Sequence, residues 1–213
     1  MTTRKRIGVL ISGRGSNLQS LIEACRDPAY PAEIVSVISN RPGAAGLERA
    51  RKAGIPASVI DHKAYPGRAE FDADLDRALR EAGVEMICNA GFMRILTEGF
   101  VEAWRNRQLN IHPSLLPAFR GLRPQQQALD AGVCVSGASV HFVRMEMDAG
   151  PIVAQAIVNV LPNDDADSLS ERILAAEHKL YPHALRLVAS GAACVDGEAV
   201  RYASPDTERT LYF

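Results

Sequence analysis

The first ninety residues alternate between short apolar runs and stretches with helical spacing. The apolar runs occupy residues 7–11, 34–38, 57–60 and 85–88. Each run is short and is bounded by Gly, Pro, Asn or Ser, which is typical of buried strands. Leucine and alanine recur at helical spacing in residues 18–26, 47–53 and 69–82. This order predicts an α/β fold: a doubly wound, Rossmann-like, mostly parallel sheet with right-handed crossovers and helices on both faces.

The second half of the chain has a different pattern. Residues 109–112 form a short predicted strand, and valine-rich residues 135–143 and 152–160 predict two paired strands around a turn that holds Asp148. Helices are predicted at 125–131, and from a capping box at 168–171 to about residue 189, and a hairpin turn at 195–198. Since no linker or repeat interrupts the chain, we expect a single domain over residues 1–213.

Composition excludes several classes of protein. The net charge of -1 gives no sign of a nucleic-acid or membrane partner, and no apolar run approaches the roughly 20 residues that cross a bilayer. No signal peptide is apparent, so we expect a cytoplasmic protein. No C-x-x-C pair or zinc-helix histidine spacing occurs, which predicts reduced thiols and no metal. The residues concerned are Cys25, Cys88, Cys134, Cys194, His178 and His183.

A glycine-rich segment joins the first predicted strand to the first helix. It reads Ser12-Gly13-Arg14-Gly15-Ser16-Asn17. Its two glycines allow close approach of the backbone to a ligand, and the N–H groups at the start of a helix bind phosphate. It lacks the lysine of a P-loop and the third glycine of a dinucleotide fingerprint. A phosphate site is one interpretation, and a glycine-rich turn that only begins the helix is the other.

Three polar residues in the second half suggest acyl-transfer chemistry. Asn110 and His112 are two residues apart on a predicted strand, so their side chains point the same way. Asp148 follows on a Gly-Pro turn. An amide and a protonated imidazole can stabilise an oxyanion, and a carboxylate can keep the imidazole charged and accept a proton. Taken singly, each residue has a structural alternative: a hydrogen-bonded histidine, a turn aspartate or a buried amide.

The two motifs together resemble the signature of folate-dependent formyltransferases. They read Asn110-x-His112-Pro113-Ser114-Leu115-Leu116-Pro117 and Asp148-x-Gly150-Pro151. The resemblance implies transfer of a formyl group from 10-formyltetrahydrofolate to the amine of phosphoribosylglycinamide in purine synthesis, by a monomer or homodimer. In that reading Asn110 and His112 stabilise the oxyanion, and Asp148 tunes His112 and relays the proton.

The resemblance extends along the chain and implies further contacts. The amino-terminal half would bind the substrate phosphate, and the carboxyl-terminal half would hold the catalytic and folate-binding groups. It also implies a cis peptide at Leu116-Pro117. The implied substrate-binding residues are Gly15, Ser16 and Asn17 for the phosphate and Glu177 for the ribose. The implied folate-binding residues are Arg68, Met93, Arg94, Ile95, Leu96, Asn110, Arg144, Met145, Glu146, Met147 and Asp148.

One segment departs from the pattern of the relatives that act on phosphoribosylglycinamide. Arg123 and Gln125 stand where those relatives often carry histidines, and Arg120-Gly121-x-x-Pro124 is similar to members acting on methionyl-tRNA or sugar nucleotides. Two alternatives therefore stay open. The acceptor could be another amine such as a sugar nucleotide, or the chain could be an inactive module that binds a phosphate ligand.

Overall fold

The computed structural model describes residues 4–213 and has the predicted α/β fold. An eight-stranded, mostly parallel sheet is flanked by helices. The chain divides into two compact units, the first ending at Asn110 and the second beginning at Ile111. Strand β5 contains both of these residues, so Asn110 belongs to the first unit and His112 to the second.

The first unit is a parallel sheet with the strand order β3-β2-β1-β4-β5. Residues 7 to 11 of β1 are all buried, because a doubly wound sheet is covered on both faces. The elements are β1 (Lys5–Ile11), α1 (Ser16–Cys25), β2 (Ala32–Ser39), α2 (Gly46–Lys52), β3 (Ala57–Val59), a 3-10 turn (His62–Ala64), α3 (Arg68–Glu81), β4 (Met86–Asn89), α4 (Glu98–Ala103) and β5 (Gln108–His112). The sequence analysis missed α4 and the 3-10 turn, which are too short to show helical periodicity.

The second unit is built on an antiparallel pair of strands, β6 and β7, with β10 added parallel to β7. Strands β8 and β9 form a separate hairpin. The elements are α5 (Pro124–Asp130), β6 (Val135–Phe142), β7 (Ile152–Asn159), α6 (Ala166–Ala189), β8 (Ala193–Asp196), β9 (Ala199–Tyr202) and β10 (Thr210–Tyr212). The predicted pairing around Asp148 is confirmed, and β10 was missed because its three residues give no recognisable alternation.

The predicted start of α6 was wrong by about one turn. The cap is Asp165, whose carboxylate accepts a hydrogen bond from the Ser168 amide at 2.8 Å. Ser168 completes the capping box from the third helical position by accepting from the Asp165 amide at 3.0 Å. Ser168 therefore lies inside the first turn and is not the residue that opens the helix.

Two glycines fix how β6 and β7 approach each other. A Cβ on Gly137 would lie 1.8 Å from the Ala156 carbonyl oxygen, and a Cβ on Gly150 would lie 1.8 Å from that of Phe142. Both neighbours are backbone atoms of the facing strand, so no side-chain movement relieves the overlap. Gly150 therefore sets where the chain returns after Asp148, at the start of the second strand of the pair.

Candidate active site

The loop after β1 packs its backbone directly on the start of α2. Gly15 caps α1 in the left-handed conformation, with φ of 70°. A Cβ at this position would lie 2.6 Å from the Cα of Gly46. By contrast, Gly13 has no atom within 4 Å of where its Cβ would be. The glycine is therefore required at position 15, both by its backbone conformation and by this close approach.

The predicted phosphate-binding residues lie together at the amino terminus of α1. Ser16 and Asn17 are the first two residues of this ten-residue helix, and Gly15 precedes them. The first N–H groups of a helix lack intrahelical acceptors and carry partial positive charge. The Arg14 side chain is exposed, and its carbonyl accepts a hydrogen bond from Arg49 Nε at 3.0 Å. The loop thus presents backbone and side-chain donors at one point.

Ser12 joins this loop to the segment after β4. Its Oγ accepts a hydrogen bond from the Met93 amide at 2.8 Å and donates to Asn40 Oδ1 at 2.6 Å. The Ser12 amide donates to the Gly91 carbonyl at 3.2 Å. The sequence reading did not assign Ser12 a role, because its partners are 28 and 81 residues away in the chain.

The predicted folate-binding segment is a loop with an apolar, exposed surface. Met93 is 71% exposed and Ile95 is 59% exposed, whereas Leu96 is buried. The Arg94 guanidinium lies 5.7 Å from the Phe71 ring centroid, and its buried Nε has no hydrogen-bond partner within residues 4–213. Such a donor is suited to an anionic group of a ligand.

The carboxyl-terminal end of this predicted folate-binding segment is anchored from α3. The buried carboxylate of Asp72 accepts hydrogen bonds from the amide and hydroxyl of Thr97, at 2.6 and 2.7 Å. Arg68 is exposed at the first residue of the same helix.

Strand β5 ends with the predicted catalytic residues. Asn110 and His112 are two positions apart on the strand, so both side chains project from one face. The His112 residue is buried, and Asn110 is partly exposed. The Nε2 of His112 lies 3.0 Å from the Phe119 carbonyl oxygen. Because a carbonyl only accepts, this nitrogen carries a hydrogen and can present it to an oxygen atom.

Asp148 approaches the other nitrogen of His112. The distance from His112 Nδ1 to Asp148 Oδ2 is 3.4 Å, and both side chains are less than 10% exposed. Asp148 has a φ of 53°, in the left-handed region that non-glycine residues seldom adopt. Backbone strain of this kind clusters at functional sites, where the surrounding structure holds it. The structure thus places the predicted imidazole and carboxylate side by side.

Two more groups surround the Asp148 carboxylate. The Gly121 amide donates to Oδ2 at 3.0 Å, and His141 Nε2 lies 3.7 Å from Oδ1. Burial alone would raise the pKa of Asp148, but the bonds from His141 and Gly121 and the charge of His112 outweigh it. The pKa of Asp148 is therefore held below its usual value.

Two further histidines, His141 and His62, also have partners inside the protein. His141 faces Asp148, and His62 Nδ1 lies 2.8 Å from the Asn40 carbonyl oxygen. Neither contact has a local signal in a single sequence, because each partner is set by strand pairing or by a loop.

Ion pairs hold the loops around Asp148. Arg120 pairs with Glu146 at 2.6 Å, and Arg144 pairs with Glu198 at 2.9 Å. Between them Met145 and Met147 are about half exposed, at 48% and 52%. Arg123 caps α5 in the left-handed conformation, and Gln125 lies in the first turn of that helix. Along residues 144–147, which are predicted to bind folate, charged side chains held in ion pairs therefore alternate with exposed methionines.

A buried serine positions the proline-rich loop that follows β5. Ser139 Oγ accepts from the Leu116 amide at 3.0 Å and donates to the Ser114 carbonyl at 2.7 Å. The predicted cis peptide at Leu116-Pro117 is confirmed. Glu177, which the resemblance assigns to the ribose, is buried on α6.

Residues 4–213 lack two other kinds of feature, a cluster of metal ligands and a membrane-spanning helix. No group of three or more His, Cys, Asp or Glu side chains able to hold a metal ion occurs within residues 4–213. In the same part of the chain, no helix is both long and apolar enough to cross a membrane.

Comparison with known proteins identifies the family. The formyl transferase family model matches residues 5–185. The chain belongs to this formyl transferase family. The phosphoribosylglycinamide formyltransferase of Escherichia coli is 42% identical over 199 residues, which cover 90% of this chain and 94% of that enzyme. The crystal structure of glycinamide ribonucleotide transformylase 1 from Symbiobacterium toebii superposes with a TM-score of 0.92 at 50% identity, covering 94% of this chain and 95% of that one.

A longer relative shows that the formyl transferase segment also occurs inside larger proteins. The trifunctional purine biosynthetic protein adenosine-3 of Drosophila pseudoobscura pseudoobscura is 58% identical over 191 residues, or 89% of this chain. The chain spans 14% of the length of that relative.

Proposed function

We propose that this formyl transferase family member transfers the formyl group of 10-formyltetrahydrofolate to the amine of phosphoribosylglycinamide, a step of purine synthesis. The observation that carries the proposal is the buried His112–Asp148 pair, at 3.4 Å, in a chain that matches phosphoribosylglycinamide formyltransferases over nearly their full length. Because one family model matches residues 5–185, we further propose that residues 1–213 act as one formyltransferase domain.

The proposed oxyanion site is the Nε2–H of His112 together with the Asn110 amide. Attack of the acceptor amine on the formyl carbon produces a tetrahedral centre with a negatively charged oxygen. The Phe119 carbonyl oxygen, 3.0 Å from Nε2, occupies the position of such an acceptor in this structure. In our proposal the substrate oxygen replaces it, and a protonated His112 then supplies a proton to the departing nitrogen.

Asp148 would balance the charge of His112 and accept the proton that the attacking amine loses. Its lowered pKa keeps it ionised at neutral pH, so it favours a charged His112 beside it. As a carboxylate it also accepts a proton from the amine, directly or through water. The left-handed backbone of Asp148 and the hydrogen bond from Gly121 hold the carboxylate in place for both tasks.

The acceptor would be held by its phosphate and its ribose. Gly15, Ser16 and Asn17 lie at the amino terminus of α1, which supports a phosphate site through backbone N–H groups. We assign Glu177 to the ribose hydroxyls, in keeping with the family resemblance.

The co-substrate would be held by the segment after β4. We propose that Met93, Arg94, Ile95 and Leu96 contact the pteridine, supported by the exposed apolar surface and the unpartnered Arg94 Nε. The exposed guanidinium of Arg68 would contact the folate tail, and Asn110 together with residues 144–148 would complete the folate contacts. This assignment rests on the resemblance and on the positions of these side chains within their own units.

We also propose a cytoplasmic protein that acts as a monomer or homodimer on small molecules. All four cysteines are free thiols, which suits a reducing compartment.

The experiment that tests the function is turnover with alternative acceptors. Purified protein is mixed with 10-formyltetrahydrofolate, and release of tetrahydrofolate is followed by absorbance. Phosphoribosylglycinamide should support turnover, whereas an amino sugar nucleotide should not. Turnover with only the sugar nucleotide would show that the departure at Arg123 marks a different acceptor. Binding of both ligands without turnover would indicate an inactive ligand-binding module.

A further inference from the structure

We propose that Glu198, in the hairpin of β8 and β9, is a positioning residue for folate binding that acts through Arg144. Its carboxylate holds the Arg144 guanidinium, and Arg144 in turn holds residues 143–151, named here the Asp148 turn. The folate part of this inference rests on the proposed function. The effect on the order of the turn does not, because it follows from contacts within the second unit.

The Arg144 side chain lies across the two ends of the Asp148 turn. A Cβ on Gly150 would lie 3.1 Å from Arg144 Cγ, so the aliphatic stem of the arginine lies against the Gly150 backbone. Nη1 donates to the Val143 carbonyl at 3.1 Å. The Phe142 amide donates to the Pro151 carbonyl at 2.9 Å and closes the base of the turn. Arg144 is therefore placed to keep both ends of the turn together.

The charge of Arg144 depends on Glu198. The Arg144 side chain is 9% exposed, and its Nε donates to Glu198 Oε2 at 2.9 Å. A guanidinium keeps its charge in proteins, so loss of the carboxylate would leave a buried cation without this counter-charge. The guanidinium would then have to turn towards solvent, which draws its stem away from Gly150. Removal of the Glu198 charge should therefore loosen the Asp148 turn.

The hairpin that carries Glu198 is itself fixed to the sheet. Gly197, with φ of 62°, forms the tight turn between β8 and β9 together with Glu198. Tyr202, on β9, donates its hydroxyl hydrogen to the Val153 carbonyl of β7 at 2.7 Å. Strand β7 begins directly after the Asp148 turn. The ion pair therefore connects this turn to a hairpin that is anchored on the next strand.

The second ion pair at the Asp148 turn is more open to water. The side chains of Arg120 and Glu146 are 39% and 74% exposed, and exposed ion pairs contribute little to stability. The charge of Arg144, by contrast, is used inside the protein. We therefore expect Arg144 to hold Met145 and Met147 in place for the folate, and not to bind the charged folate tail itself.

The first test follows the order of the Asp148 turn without substrate. Amide hydrogen exchange is measured by NMR in the unmodified protein and in Glu198→Gln, which removes the charge and keeps the shape of the side chain. The amides of residues 144–149 should exchange about three- to tenfold faster in the variant, the factor expected for loss of a partly buried ion pair. Unchanged exchange would overturn the proposal, whether or not the protein has formyltransferase activity.

The matched control is Asp196→Asn in the same hairpin. Asp196 lies 3.7 Å from Arg201, and both side chains are 71% exposed, so this pair does not reach the Asp148 turn. Its loss should leave exchange in residues 144–149 unchanged. Equal acceleration in Asp196→Asn and Glu198→Gln would show a general loosening of the hairpin and would overturn a specific role for Glu198.

The second test separates the KM for the folate from kcat. In Glu198→Gln the KM for 10-formyltetrahydrofolate should rise about three- to tenfold, and the KM for phosphoribosylglycinamide should stay the same. The kcat should change less than the folate KM, because the Gly121 amide still holds the Asp148 carboxylate. A fall in kcat with an unchanged folate KM would contradict the proposal.

A double-mutant cycle tests whether Arg144 acts through Glu198. If it does, Arg144→Gln combined with Glu198→Gln should raise the folate KM no more than Arg144→Gln alone. Multiplying effects would show that Arg144 binds the folate independently, and would overturn the proposal. Absence of turnover in the unmodified protein would refute the proposed function and leave hydrogen exchange to decide on Glu198.

Discussion

The close contact between Gly15 and Gly46 allows one substitution to be worked out in detail. Gly15→Ala places a Cβ on a residue with φ of 70°, which costs about 1–2 kcal/mol for an L-residue. The Cβ would also lie 2.6 Å from the Gly46 Cα, well inside the roughly 3.5–4.0 Å of an ordinary carbon contact. The loop and α2 must therefore separate by roughly 1 Å, at a further cost of about 1–3 kcal/mol.

Part of this cost is offset in the unfolded chain. Replacing glycine by alanine reduces unfolded-state entropy, which returns about 0.4–1 kcal/mol. The free energy of unfolding should thus fall by about 1–4.5 kcal/mol, which compares with roughly 5–15 kcal/mol for the stability of a typical domain. The displaced loop should also raise the KM for phosphoribosylglycinamide, while the KM for the folate changes little.

The matched control is Gly13→Ala in the same loop. Gly13 has no atom within 4 Å of its Cβ position and does not have a positive φ. The free energy of unfolding of the Gly13→Ala variant should differ from that of the unmodified protein by less than about 0.5 kcal/mol, as for a substitution at an ordinary surface position. Urea unfolding and initial-rate kinetics measure both quantities. Equal stability and equal KM in the two variants would refute the argument that the Gly15 contact shapes the proposed phosphate site.

Three further substitutions test the site and its supports. Asp148→Asn should lower kcat about 10²–10⁴-fold, the usual worth of a proton-transfer group, with circular dichroism as the check on folding. Because the pKa of Asp148 is lowered in the folded protein, its contribution to stability is present above its unfolded pKa and is lost as pH falls through the folded value. Between pH 7 and acid pH, the free energy of unfolding of the Asp148→Asn variant should therefore fall by less than that of the unmodified protein. An equal fall in both proteins would contradict this prediction. Gly150→Ala should destabilise the protein by at least about 3 kcal/mol, because the new Cβ would lie 1.8 Å from the Phe142 carbonyl oxygen. A thermal unfolding midpoint near that of the unmodified protein would contradict this strand geometry. Asp72→Ala should destabilise by about 2–4 kcal/mol through two lost charge-assisted hydrogen bonds and should raise the KM for the folate; an unchanged KM would show that this anchor does not position the folate segment.

The parts of the fold that were predictable from sequence are those with strong local patterns. Residues 7–11 of strand β1 form an apolar run, and α3 repeats its apolar face over fourteen residues, so both were predicted to within about two residues. Helix α4 and strand β10 have six and three residues, and segments of this length form only because the surrounding structure stabilises them. The start of α6 was misassigned because Ser168 and Asp165 both satisfy the composition of a cap, and only geometry shows which one is first.

The candidate site likewise has contacts that were predictable from sequence and contacts that were not. Spacing along one strand was enough to put Asn110 and His112 on one face, and the motif that contains Asp148 was recognisable as a unit. The contact between His141 and Asp148 depends on the return of the chain after Asp148, which Gly150 controls through its approach to Phe142. The link from Ser12 to Met93 likewise depends on two loops 81 residues apart. Contacts of this kind have no local signal in a single sequence.

The most direct test of the central claim follows the formyl group itself. The protein is incubated with 10-formyltetrahydrofolate labelled with carbon-13 in the formyl group, together with phosphoribosylglycinamide, and the products are examined by mass spectrometry and NMR. The labelled carbon should appear in an amide on the glycinamide nitrogen, and its appearance should be lost or strongly reduced in His112→Ala. Label released as formate, or label retained on the folate in the presence of the acceptor, would contradict the assignment of His112, Asn110 and Asp148 to formyl transfer.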